Sequence, residues 1–195
     1  MRESMHKAFS WMERGMISVA IIGLALIITS TLGGAMILVV GLAFLSLLYF
    51  AAGYFQPTQK IGQHPSIAVS LAKIISGLTL SILVIGSLFK LMLWNSAAVM
   101  LIVGLVGAFL MAFVLSVLTR NYNNALGVIQ RCIVWTCLGM VLYFTSSTAL
   151  FELHHPNDPV LVEKFNAQEA HPNDPSYKAD FELYRRQHHA QQSAQ

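Results

Sequence analysis

Three stretches of this chain contain no charged side chain: Gly15 to Gln59, Leu91 to Thr119 and Cys132 to Phe151. A helix needs roughly 20 mostly apolar residues to cross about 30 Å of hydrocarbon. The first stretch is long enough for two such helices and each of the others for one, and Ala68 to Phe89 supplies a fifth. Composition agrees: 55% of residues are hydrophobic and 11% charged, where a soluble domain carries roughly 25% charged residues. The pattern excludes an ordinary soluble domain. It predicts an all-α, polytopic integral membrane protein with five transmembrane helices, arranged as two tandem hairpins plus one, and a short helical C-terminal tail. The lipid bilayer is its first partner.

Three regions follow: residues 1–14, 15–150 and 151–195. In 1–14, MRESMHKAFSWMER, a helix sets Met5, Phe9 and Met12 on one face and Arg2, His6, Lys7 and Glu13 largely elsewhere. That reads as an amphipathic segment at the membrane interface, leading into the first span. Spans are expected at about Met16–Thr31, Ala35–Phe55, Ala68–Leu91, Ala97–Leu118 and Cys132–Leu150. Tyr49, Tyr54 and Phe55 gather where an aromatic belt would sit. Gln56 to Pro65 and Arg120 to Gln130 are polar connectors.

Lys and Arg fall mainly on one side of this layout, with Arg2, Lys7 and Arg14 at the N-terminus, Lys60 with Lys73 just beyond, then Arg120 and Arg131, and only Lys90 on the other. The positive-inside rule makes the N-terminus cytoplasmic, and an odd span count then places the tail across the inner membrane, in the periplasm. Residues 1–150 hold eight basic and two acidic residues, whereas 151–195 hold four and seven. The basic excess therefore reports topology, and no nucleic-acid partner is expected.

Shifting Ser18–Phe50 by 63 places lays it over Ser81–Phe113 with ten of 33 positions identical. Unrelated apolar sequence would match at roughly one position in ten. Gly23 and Gly41 on one hairpin correspond to Gly86 and Gly104 on the other. Small residues of this kind let membrane helices approach closely, so these four are the expected packing positions. Lys90 and Trp94, at the end of the third span, are the expected interface anchors.

Gly86, Phe89-Lys90, Trp94, Ala97, Met100-Leu101 and Gly104-Leu105 resemble the N-terminal membrane hairpin of GldL, a gliding-motility family of Bacteroidota. The likeness covers about 30 residues and implies a membrane hairpin within a larger machine. Leu93 stands where that family has histidine, and Asn95-Ser96 where it has Pro-Gly. GldL-type motors are thought to harvest proton flow through a membrane glutamate, but no acidic residue lies here between Glu13 and Glu152. A proton-driven motor is therefore not implied.

Cys132 and Cys137 are five apart, on different faces of a helix, and match no zinc or thioredoxin spacing. Thr145-Ser146-Ser147-Thr148, expected near the end of the fifth span, offer hydroxyls that bond back to a helix or to a neighbour. The chain has no phosphate loop, nucleophile elbow or HExxH motif, so neither an enzyme nor a cofactor is expected.

The tail repeats one pentapeptide, His155-Pro-Asn-Asp-Pro159 and His171-Pro-Asn-Asp-Pro175. Aspartate before proline is a helix start, since Asp accepts a backbone N–H as N-cap and Pro at N1 lacks a donor that would be orphaned anyway. Asp158 should open a helix from Pro159 to about Ala170, and Asp174 another from Pro175 to about His189. On the second, Tyr177, Phe181 and Tyr184 form one aromatic stripe suited to packing, to lipid or to a protein partner. His155, His171, Asp158 and Asp174 are the residue types a zinc or copper ion would take. The leading expectation is a non-enzymatic accessory or scaffold subunit of a larger inner-membrane complex, with its exported tail docked on a protein partner. The alternatives are a periplasmic metal-binding or metal-sensing membrane protein and a small-solute transporter.

Overall fold

A computed structural model describes residues 2–29, 33–55, 67–94, 96–118 and 126–192. The expected loop around Lys60 and most of the Arg120–Gln130 connector lie outside these residues. Among the described residues eight helices follow in order: α1 (Arg2–Ile28), α2 (Gly34–Phe55), α3 (Ile67–Leu91), α4 (Ala97–Leu118), α5 (Leu126–Phe144), α6 (Ser147–His154), α7 (Pro159–Ala170) and α8 (Pro175–Gln192). The first five are long and apolar enough to cross a membrane. The chain is an all-helical, multi-pass membrane protein.

Neighbours in sequence are neighbours in space, α1 on α2, α2 on α3 and α3 on α4, with α5 filling in against α3 and α4. Half of the apolar window of α3 is buried, against 22% for α1 and for α4. α3 is thus the axis of the bundle. The outer helices leave apolar stripes bare, such as Val103, Val106, Leu110 and Phe113 on α4. A soluble monomer does not tolerate so continuous an apolar surface, and here it suits contact with lipid.

Glycine sets how closely the hairpin arms approach. A Cβ added at Gly23 would lie 2.5 Å from the Leu38 amide nitrogen, and one at Gly86 would lie 2.9 Å from that of Leu101. Gly41 meets the backbone of Ala20, and Gly104 that of Leu83. Both of these contacts in the first hairpin have counterparts 63 positions later. At the α2–α3 crossing Gly77 faces Gly53, and Ser46 shares a 2.7 Å hydroxyl hydrogen bond with Ser81.

Two boundaries differ from the sequence reading. The segment 1–14 is one helix with the first span, since α1 runs unbroken from Arg2 to Ile28. Its inward face is Phe9, Glu13, Met16 and Ala20, while Met12 is exposed; nothing in 1–14 breaks a helix, so one continuous rod results. The fifth span stops at Phe144 instead of Leu150. There Thr145 Oγ1 donates back to the Val141 carbonyl at 2.8 Å, and Ser146 Oγ accepts the Ala149 N–H to start α6. The hydroxyl cluster therefore caps two helices.

Candidate functional site

The N-terminal end of the bundle holds a polar centre built from helices far apart in sequence. Glu13 on α1 receives Arg131 of α5 in a two-pronged pair, Nε to Oε1 at 2.7 Å and Nη2 to Oε2 at 2.8 Å. Tyr49 on α2 donates its hydroxyl to Glu13 Oε1 at 2.8 Å, and Trp135 Nε1, one turn beyond Arg131, donates to the Tyr49 oxygen at 2.8 Å. Tyr49 and Trp135 meet edge to face with ring centroids 6.1 Å apart. The Phe9 ring lies 4.9 Å from the Arg131 guanidinium, an attractive cation–π placement.

Both carboxylate oxygens, the phenol and the indole are thereby satisfied. Fork-shaped pairing of guanidinium and carboxylate is the strong form of the bond. Removing one partner of a buried pair leaves a stranded charge, at a cost of about 3–5 kcal/mol. Chemically the centre is a closed circuit of donors and acceptors that ties α1, α2 and α5 together.

Lys73 stands beside it. The side chain is 6% exposed, and among the described residues no carboxylate pairs with it. With Phe9, Tyr49, Gly53, Val128 and Arg131 it lines a small cleft of ≈ 20 Å³. The Gly53–Gly77 crossing forms one wall, since a Cβ on Gly53 would come within 3.2 Å of the Lys73 carbonyl.

Sequence reasoning missed this centre. It treated Lys73 and Arg131 as topology markers, and it considered only Lys90 as an ionisable group within the membrane domain. Lys90 is half-buried in the last turn of α3 and Trp94 is exposed beyond it. The available signal was Glu13 itself, the last acidic residue before Glu152, together with Arg131 and Trp135 one helical turn apart.

At the opposite end α3 closes on a left-handed residue. Leu93 has φ +55°; its N–H donates to the Lys90 carbonyl at 3.2 Å, and the Trp94 N–H reaches back to the Phe89 carbonyl at 2.9 Å. This is a Schellman ending, with the Trp94 ring 4.9 Å from Phe89 as its apolar clasp. Glycine usually fills such a position, and a left-handed leucine costs roughly 1–2 kcal/mol. Leu93 packs against the tail cluster of Phe151, Leu161 and Phe181, which repays part of that strain.

Both HPNDP motifs are helix corners of one geometry. His155 and His171 are C-caps with nearly equal angles (φ −130° and −126°, ψ 55° and 61°). Each histidine carbonyl accepts from the aspartate three residues on. Asp158 Oδ1 then accepts the Leu161 N–H, and Asp174 Oδ1 accepts both the N–H and the hydroxyl of Ser176. These donors hold the Asp174 carboxyl below its ordinary pKa, the Ser176 hydroxyl contributing most. His155 lies against Phe151, and His171 stacks on Tyr177. Among the described residues no three His, Cys, Asp or Glu side chains gather as a metal would require.

The aromatic stripe of α8 turns partly inward. Phe181 is buried against Phe151 and Phe165, whose rings stack at 4.0 Å, and Tyr184 packs on the same cluster. Tyr177 remains exposed. The helix continues to Gln192, three residues past its expected end, with the side chains of His188 and His189 outside those described. Compared with protein-family models, curated proteins and solved structures, the chain matches none.

Proposed function

We propose that this protein is a non-enzymatic accessory or scaffold subunit of a larger complex in an inner membrane. In this reading the N-terminus is cytoplasmic and the α6–α8 tail docks a protein partner in the periplasm. The observation that carries it is the pinning of the tail. Its aromatic cluster takes in Leu93 from the α3–α4 turn, so the tail is a held platform, and Val160, Tyr177 and Leu183 remain bare on it. Matched glycine contacts in α1–α2 and α3–α4 support an origin of the two hairpins as copies of one unit. The likeness of the second hairpin to that of GldL supports membership in an assembly.

A photo-crosslinking amino acid at Leu183, in the native host, tests the docking. One defined partner should be captured there, lost on Leu183→Asp and absent when the probe sits at lipid-facing Val106. A protein that runs as a monomer in mild detergent, with no crosslinked neighbour at Leu183, overturns the proposal.

A further inference from the structure

We infer that the cleft beside Lys73 is a binding site for one small anionic group, either a free monatomic anion or a single oxygen of a lipid phosphate reaching in from the mouth. The inference stands on charge and space. Two cations, Lys73 and Arg131, line the cleft. Among the described residues the one carboxylate that reaches this centre, Glu13, has both oxygens committed to Arg131 and one of them also to Tyr49. Glu13 neutralises Arg131 and leaves the Lys73 charge unmatched.

An ammonium this deeply buried between membrane helices is costly unless something answers it. The tyrosine does not answer it: its proton is donated to Glu13, its oxygen accepts from Trp135, and among the described residues no hydrogen bond joins it to Lys73. The cleft supplies the room. A single water-sized occupant needs roughly 10–15 Å³ of such space, and the cleft offers ≈ 20 Å³. That admits one ion the size of chloride, or one phosphate oxygen, and excludes a whole phosphate ester from the interior.

The helix crossing keeps Lys73 in place. Gly77, one turn beyond Lys73, has no room for a Cβ, which would fall 2.7 Å from the Gly53 Cα and 2.8 Å from the Tyr49 carbonyl. α2 and α3 therefore cannot slide at this level without losing the wall of the cleft. Basic pockets between transmembrane helices are also where anionic lipid headgroups are held, so both sources of the same chemistry need a separate arm of the test.

The full-length protein is purified in a zwitterionic detergent and its Tm followed at constant ionic strength as gluconate is exchanged for chloride. In parallel, native mass spectrometry reads retained phospholipid, and Tm is compared in nanodiscs of phosphatidylcholine with and without phosphatidylglycerol. A chloride-dependent rise in Tm identifies the free ion. A retained anionic phospholipid, with a phosphatidylglycerol-dependent rise, identifies the lipid. Either response should vanish in Lys73→Met and persist in Lys73→Arg. Wild-type protein that responds to neither anion overturns the inference without recourse to any variant, and so does a response that survives in a folded Lys73→Met protein.

Discussion

The two ends of the helical bundle are closed by opposite means. At the N-terminal end, three helices are joined by a part-buried ion pair whose every oxygen is bonded. At the other, a strained leucine and a cluster of three phenylalanines, two stacked and the third edge-on to both, join the last turn of α3 to the tail. The first closure is directional and fails sharply when one partner goes. The second is apolar and yields in proportion to the area removed. Charge thus fixes which helices meet, and aromatic burial fixes where the tail rests.

The contrast is broken most directly at Glu13. Glu13→Gln strands the Arg131 charge and should cost about 3–5 kcal/mol, read as a fall in Tm in detergent. Glu13→Leu combined with Arg131→Leu should recover much of that loss, since no charge is then stranded. An unchanged Tm in the single variant would mean that this end is not held by charge. At the far end, Phe181→Ala should cost about 3 kcal/mol, confined to the tail. Hydrogen exchange would show α7 and α8 opening while α1–α5 keep their protection, and loss of protection throughout would show that the two closures are coupled.

Between the ends, Gly23→Ala pushes a methyl group into the Leu38 backbone and should cost about 1–3 kcal/mol by overpacking. Gly15→Ala, where a Cβ meets nothing within 4 Å, should stabilise by up to about 1 kcal/mol through helix propensity. Equal effects would remove the close approach from the account. The smallest effect is one of pH. Ser176 depresses the Asp174 carboxyl below its ordinary value near 3.8, so its contribution is complete above that value and fades as pH falls through the folded-state one. The first turn of α8 should loosen only in that acid range, and Asp174→Asn should abolish the transition, as followed by NMR.

Much of the bundle was legible because charge-free runs have few physical destinations. The four paired glycines fell where their spacing put them, since close approach requires a missing side chain. Asp158-Pro159 and Asp174-Pro175 opened helices as their donors and acceptors demand. The polar centre was not legible, because Glu13, Tyr49 and Arg131 lie on three separate helices and only packing brings them together. The same limit hid Lys73, which as sequence is one more positive residue beside a loop. Span five lies six residues earlier than the apolar run suggests, at Leu126–Phe144 instead of Cys132–Leu150, because its hydroxyls interrupt no apolar run, yet their bonding ends the helix at Phe144.

The pairing of Glu13 with Arg131 also sets an order of assembly. The two residues are 118 positions apart, and at a synthesis rate of roughly 5–20 residues per second the arginine emerges about 6–24 s after the glutamate. Throughout that interval, although Tyr49 is made much sooner, the Glu13 carboxylate lacks its guanidinium. It must wait at the rim of the bilayer, or borrow a temporary companion, until the fifth helix is made. The ion pair can therefore close only once the fifth span has been made, and a chain truncated before Arg131 would lack it.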